Sequence, residues 1–254
     1  MSLTDDKATF FDDLLAQYER DFEAFSRELK RLLGPFIRTG PHTAAEVRAF
    51  FQGTGINEVA ANFVNQYDTV IQYTQQVATQ AGIPLVLPER SLTILSLFKD
   101  NQVQNILNAS IPIQQNILDA SFRYGIEESR LGTIIAELSR DIDIAGRRII
   151  SEAFTGASMY DRTIKFGQFK NAGVDLYFYD GPVDGKNRKA CEITLGDSRQ
   201  STGWTLDGIA GSETPFIACG GYNCRHEWLP FVSGLDDLIK EMQRDAGIVR
   251  TVNL

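Results

Sequence analysis

Three cysteines and one histidine in the last third of the chain carry side chains that bind metals. Cys219, Cys224 and His226 stand close together in the stretch ACGGYNCRHEWLPF, and Cys191 precedes them. Side chains alternate along a strand, so Cys224 and His226 share a face if this stretch is extended, and the glycines after Cys219 permit a turn that returns its thiol to that face. Thiolate and imidazole are the usual ligands of tetrahedral Zn²⁺. We therefore predict a structural zinc centre formed by Cys191, Cys219, Cys224 and His226.

Two other interpretations of these residues stay open. Buried cysteines are common without a metal, and the spacing of Cys219 and Cys224 is at the upper edge for paired zinc ligands. A catalytic zinc needs an open coordination position and a general base. Glu192 and Glu227 neighbour the candidate ligands, but adjacent residues on a strand point to opposite faces. A zinc-dependent hydrolase or nuclease is thus the alternative function of a different class.

Composition narrows the classes of protein further. The chain has 25 Lys and Arg against 33 Asp and Glu, a formal charge of −8, and 43% apolar residues. This balance is typical of a globular protein and disfavours nucleic-acid binding, which requires clustered basic residues. The sequence shows no apolar run long enough to span a membrane, no signal peptide and no nucleotide-binding or nucleophile-elbow motif. We expect no membrane partner, no specific nucleic-acid partner and no catalysis.

The first two thirds of the chain show helical periodicity. The first predicted helix begins at Thr4, follows a heptad seam and ends at Gly34-Pro35. Thr43 and Glu46 fit a capping box before a short second helix. Further helices are predicted over 57–81, over 91–124 with a kink or split at Pro112, and over 126–154. The seam of the first helix consists of Phe11, Leu15, Tyr18, Phe22, Phe25, Leu29 and Leu32.

The pattern changes near residue 170. The stretch AGVDLYFYDG, residues 172–181, alternates as a strand does, and CEITLG and HEWLPFV are interpreted as further short strands. Ser233 and Asp236 open a predicted last helix. The predicted fold is therefore mostly α, with long N-terminal helices, short antiparallel strands and a terminal helix. We predict a helical assembly and partner-binding region over 1–170 and a small α+β module over 171–254.

Four pieces between about Gly146 and Phe231 occur in an order that resembles a known family. They are RRIISEAF, NAGVDLYFYD, DGKNRKAC with Asp184, Arg188 and Cys191, and NCRHEWLP with Cys224, Arg225, His226 and Pro230. Together they resemble the phage Mu F-like head morphogenesis family of minor head or minor capsid proteins. His226 stands where the family has the last Cys of a Cys-Arg-Cys element, and Cys219 stands near a usual His-Pro. Both departures exchange one zinc-compatible ligand for another.

The resemblance implies a structural role in a virion. It implies a portal-associated minor capsid protein in the head or neck of a bacteriophage, present in the host cytoplasm during assembly and without catalytic activity. Portal and major capsid proteins are the implied partners, and the chain is expected to be oligomeric within the particle. A head–tail connector or adaptor ring is the alternative within the same class. The helical region is the part suited to docking against other helices.

Overall fold

The computed structural model describes residues 3–80, 87–127, 130–181, 187–200, 203–222 and 224–231. Within these residues the chain is mostly α-helical, with a two-stranded antiparallel sheet near its end, as predicted. No helix in the described part is long and apolar enough to span a membrane. The elements, in chain order, are α1 (Leu3–Arg38), α2 (Ala44–Gly53), α3 (Ile56–Asn65), α4 (Tyr67–Gln80), α5 (Glu89–Ala109), α6 (Ile111–Ile126), α7 (Leu131–Asn171), β1 (Tyr177–Asp180), α8 (Lys189–Gln200), α9 (Leu206–Ala210) and β2 (Glu227–Pro230).

Helix α1 buries Phe11, Tyr18, Phe22, Phe25 and Leu29 of its predicted seam, whereas Leu15 and Leu32 are only partly buried. The helix is also longer than predicted. It begins at Leu3 and continues through Pro35 to Arg38. The apolar spacing explains the extension, because Leu29, Leu33 and Ile37 follow one another at four-residue intervals and are fully buried. Their packing outweighs the backbone hydrogen bond that Pro35 cannot donate. The helix ends at Arg38, and Gly40, two residues later, turns the chain with a positive φ of 116°.

The predictions for the next helix boundaries have mixed outcomes. The capping box of Thr43 and Glu46 is present at the start of α2. The predicted helix over 57–81 is two helices, α3 and α4, which meet at Gln66. Pro112 lies in the first turn of α6 and separates it from α5, as predicted. There the missing N–H of proline costs no helical hydrogen bond.

Helix α7 is the central element of the structure. It was predicted to end near residue 154 but continues to Asn171. Along its length it packs against α1, α4, α5 and α6. Its third quarter is buried on most faces, so the sequence there lacks the one-sided apolar pattern that marks a surface helix. The helical bundle around it shares one hydrophobic cluster that extends from Phe11 to Ile164.

A second hydrophobic cluster lies beyond the bundle. It combines Phe169 near the end of α7 with residues of β1, α8, α9 and the segment leading into β2. The strands pair antiparallel, with Tyr179 opposite Trp228. Residues 227–230 of HEWLPFV form β2, as predicted for this stretch, whereas CEITLG lies in helix α8. There Cys191 and Leu195 place their buried side chains four residues apart on one helical face. The predicted helix from Ser233 lies outside the described residues.

Candidate metal centre

Two separate parts of the second cluster supply the candidate ligands. Cys191 lies in the first turn of α8, and Cys224 and His226 lie just before β2. Strand β1 passes beside them and presents Tyr179. Cys224 and His226 were expected to share the face of a strand. They precede the strand, yet their side chains still approach each other, with Cys224 Sγ 3.7 Å from His226 Nδ1.

Cys191, Cys224 and His226 form a buried group that could hold a metal ion. Their ligand atoms all lie within 4.8 Å of one another. The two sulfurs are 3.8 Å apart, and all three residues are less than 5% exposed. Bonds of ~2.3 Å to sulfur and ~2.0 Å to nitrogen give a tetrahedron with edges of ~3.8 Å between sulfurs and ~3.5 Å from sulfur to nitrogen. The observed spacings of 3.8 and 3.7 Å agree with these edges.

Cys219 is not a member of this group among the described residues. Its thiol is buried and donates to the carbonyl oxygen of Phe216 at 3.4 Å. Its backbone has a positive φ of 45° in the turn that precedes Gly220 and Gly221. The structure thus brings three of the four predicted ligands together, and a ligand role for Cys219 stays a prediction.

The surroundings of Cys224 favour its thiolate. Burial by itself raises the pKa of the thiol, but hydrogen bonds from His226, the charge of Arg162 and the N–H of Gly220 together lower it to about 6. The Gly220 nitrogen lies 3.3 Å from Cys224 Sγ. A thiolate is the form that binds metal. At neutral pH the lowered pKa thus favours the form of Cys224 that binds metal.

Cys191 and Tyr179 differ from Cys224, because their surroundings raise their pKa values and favour the protonated forms. Burial raises the pKa of Cys191, although the hydrogen bond from the Tyr179 hydroxyl opposes it. Burial, reinforced by the neighbouring cysteines, also holds the pKa of Tyr179 well above its ordinary value. A bound divalent cation reverses this balance for any group that it contacts, because it stabilises the deprotonated form.

Two glycines allow the backbone to close around the group. A Cβ on Gly220 would overlap Cys191 Sγ and lie 3.2 Å from Cys224 Sγ. A Cβ on Gly181, at the end of β1, would lie 2.5 Å from His226 Cδ2. Side chains at these two positions would occupy the space of the ligands. The group is therefore enclosed by main chain on two sides.

Two arginines fix the loop that carries Cys224. Arg162 on α7 donates to the carbonyl oxygens of Cys224 and, at 2.9 Å, of Ile217. Arg188, just before α8, donates to the carbonyl oxygens of Gly220, at 2.7 Å, and Tyr222. Arg188 was singled out in the sequence, and Arg162 was missed. Both arginines donate to backbone carbonyl oxygens of the loop, which every residue type has. The loop sequence therefore does not predict these contacts.

Neither carboxylate considered as a general base serves the metal group. Glu192 is exposed on α8. Glu227 is buried on the other side of β2 and accepts from Lys165 Nζ at 2.6 Å. Lys165 also donates to Asp161 at 3.0 Å, and Thr74 on α4 donates to Asp161 at 2.9 Å. Burial opposes the charge on Lys165, but the two carboxylates raise its pKa, so its ammonium form is favoured within the core.

Comparisons of this chain with protein-family models, with curated proteins and with solved structures find no match.

Proposed function

We propose that this chain is a non-catalytic structural protein whose C-terminal module is held together by a bound zinc ion. The observation that carries the proposal is the convergence of Cys191 from α8 with Cys224 and His226 from the segment before β2. Two thiolates and an imidazole form a soft donor set that suits Zn²⁺ better than Mg²⁺ or Ca²⁺. Burial of all three residues supports a structural ion, because a catalytic ion must reach substrate.

The small size of the module explains why it would need an ion. Its sheet has two strands of four residues each, and a two-stranded sheet is marginally stable in water. A structural zinc contributes on the order of 10 kcal/mol to the folding of a small domain. One ion joining α8 to the segment before β2 would therefore supply a large share of the stability of this part.

We further propose a role in the head of a bacteriophage. The support is the ordered resemblance of the last third to Mu F-like minor head proteins, in which Arg188, Cys191, Cys224 and Pro230 fall on the family pattern. In this proposal the chain associates with portal or major capsid proteins as a few copies at the portal vertex. The long helices of the first 170 residues supply the docking surface.

Elemental analysis tests the metal part of the proposal. Protein purified under reducing conditions without added metal is expected to contain zinc, and Cys191→Ser and Cys224→Ser are expected to lose it. Glu227→Gln separates the structural proposal from a zinc-dependent hydrolase. It should keep the metal, and no hydrolase activity should depend on Glu227. Metal-free wild-type protein would end the proposal.

Mass spectrometry of purified particles tests the phage part. The chain is expected in the virion, and heads assembled without it should be defective. Its absence from particles, together with normal heads when it is deleted, would refute the role. Copy number per particle separates a connector ring, which needs the symmetry of the portal, from an internal minor head protein.

A further inference from the structure

The hydroxyl of Tyr179 lies beside both thiols of the candidate metal group. It is 3.5 Å from Cys191 Sγ, to which it donates, and 3.8 Å from Cys224 Sγ. The ring stacks on His226 with a centroid separation of 5.5 Å and packs against Trp228 at 4.9 Å. Strand pairing with β2 fixes the backbone of Tyr179 as well. The hydroxyl is therefore held close to both thiols, and its ring lies against His226.

The two oxygen–sulfur distances are those expected for an oxygen at the fourth corner of the tetrahedron. An oxygen ligand at ~2.0 Å from zinc lies ~3.5 Å from a sulfur ligand at ~2.3 Å when the geometry is tetrahedral. The measured oxygen–sulfur distances of 3.5 and 3.8 Å agree with this edge for both cysteines. Cys219, the other candidate for the fourth corner, instead donates to the carbonyl oxygen of Phe216.

We infer that Tyr179 is the fourth ligand and that the centre is a closed Cys₂HisTyr site. This inference rests on the proposed metal-binding function. When the ion binds, the protons of the Tyr179 hydroxyl and of the Cys191 thiol leave to solvent, and the phenol oxygen bonds to the metal in place of its hydrogen bond to Cys191. Four protein ligands leave no position for substrate or activated water, and closed sites are structural. The inference thus gives a chemical reason why the centre would not catalyse hydrolysis.

Cobalt(II) is a suitable probe, because its visible bands report the number and type of ligands in a zinc site. The full chain is loaded with Co²⁺, and azide is then added as an external ligand. In the wild type the bands should be those of a four-coordinate site, and azide should leave them unchanged. In Tyr179→Phe water replaces the phenol oxygen, so the bands should shift and azide should shift them again. Co²⁺ affinity, measured against a competing chelator, should fall by at least about tenfold.

Cys219→Ser is the matched control. It should keep the bands, the affinity and the insensitivity to azide. Azide-sensitive bands in the wild type would overturn the inference without any variant, because they would show an open position. A Tyr179→Phe protein with weaker affinity but unchanged, azide-insensitive bands would also overturn it, since Tyr179 would then only donate a hydrogen bond. The same holds if Cys219→Ser alone opens the site.

Failure of the inference is distinct from failure of the proposed function. If wild-type protein binds neither Zn²⁺ nor Co²⁺, the metal-binding function itself is refuted. If it binds Co²⁺ through sulfur, and Tyr179→Phe matches the wild type, only the role of Tyr179 is refuted. Phenylalanine keeps the ring that stacks on His226 and Trp228, so the variant changes the oxygen and preserves the packing.

Discussion

His226 and Glu227 are adjacent in the chain, and their side chains point to opposite sides at the start of β2. His226 Nδ1 lies 3.7 Å from Cys224 Sγ in the metal group, whereas Glu227 Oε2 lies 2.6 Å from Lys165 Nζ on helix α7. The alternation of side chains along an extended segment produces this division. One segment thereby joins the candidate metal centre to the charged cluster at the end of the helical bundle.

The first prediction concerns the charged cluster. Lys165→Met leaves two buried carboxylates, Asp161 and Glu227, without this ammonium group. Removal of one partner of a buried ion pair costs about 3–5 kcal/mol, so the free energy of unfolding in urea should fall by that amount. Lys99→Met is the control. Lys99 pairs with Asp68, which is 63% exposed, and its loss should cost no more than about 1 kcal/mol. Equal losses in the two variants would contradict the prediction.

The second prediction concerns removal of the metal. Chelation should release backbone amides of β1, α8 and β2 to hydrogen exchange, because the ion joins these elements. The bundle should stay protected, since its hydrophobic cluster includes none of the ligands. Hydrogen exchange measured by mass spectrometry with and without chelator, on the full chain, gives the comparison. Uniform loss of protection over the whole chain would show that the two clusters unfold together.

The third prediction concerns the backbone at the metal group. Gly220→Ala places a methyl group on the two thiols, so zinc affinity should fall by at least the ~10-fold typical of disturbed ligand surroundings. Gly196→Ala in α8 is the matched control, because its Cβ meets nothing within 4 Å. Alanine in a helix is about 0.5–1 kcal/mol more favourable than glycine. The control should therefore bind zinc normally and be slightly more stable. Unchanged affinity in Gly220→Ala would contradict the geometry of the group.

The fourth prediction concerns the charge on Cys224. The pKa of this thiol is lowered to about 6, so its contribution to the stability of the metal-free protein is lost as pH falls through about 6. The unfolded chain binds more protons than the native one above that pH, so the free energy of unfolding rises as pH increases from about 6 towards the ordinary range of a cysteine. The ultraviolet absorbance of the thiolate should titrate near pH 6. It should disappear in Cys224→Ser and persist in Cys219→Ser, and a titration in the ordinary range would contradict the prediction.

Local patterns in the sequence account for much of the fold. The spacing of apolar residues identified α1, and the pair Thr43 and Glu46 marked the start of α2. Pro112 marked the boundary between α5 and α6. These features arise from neighbours in the chain, so periodicity and capping chemistry are enough to predict them. The errors fall where packing outweighs a local signal, as at Pro35, which lies inside α1.

The chemical types of Cys191, Cys224 and His226 were readable from the sequence by itself, because thiols and imidazoles bind metals wherever they stand. Their convergence was decided only by tertiary structure, since it depends on α8 forming a helix where alternation suggested a strand. The same is true of Tyr179, Arg162 and Lys165, which reach the site or its strand from elements distant in the chain. Contacts between elements that are distant in the chain depend on how helices and strands pack against one another. The spacing of residues within one element does not determine that packing.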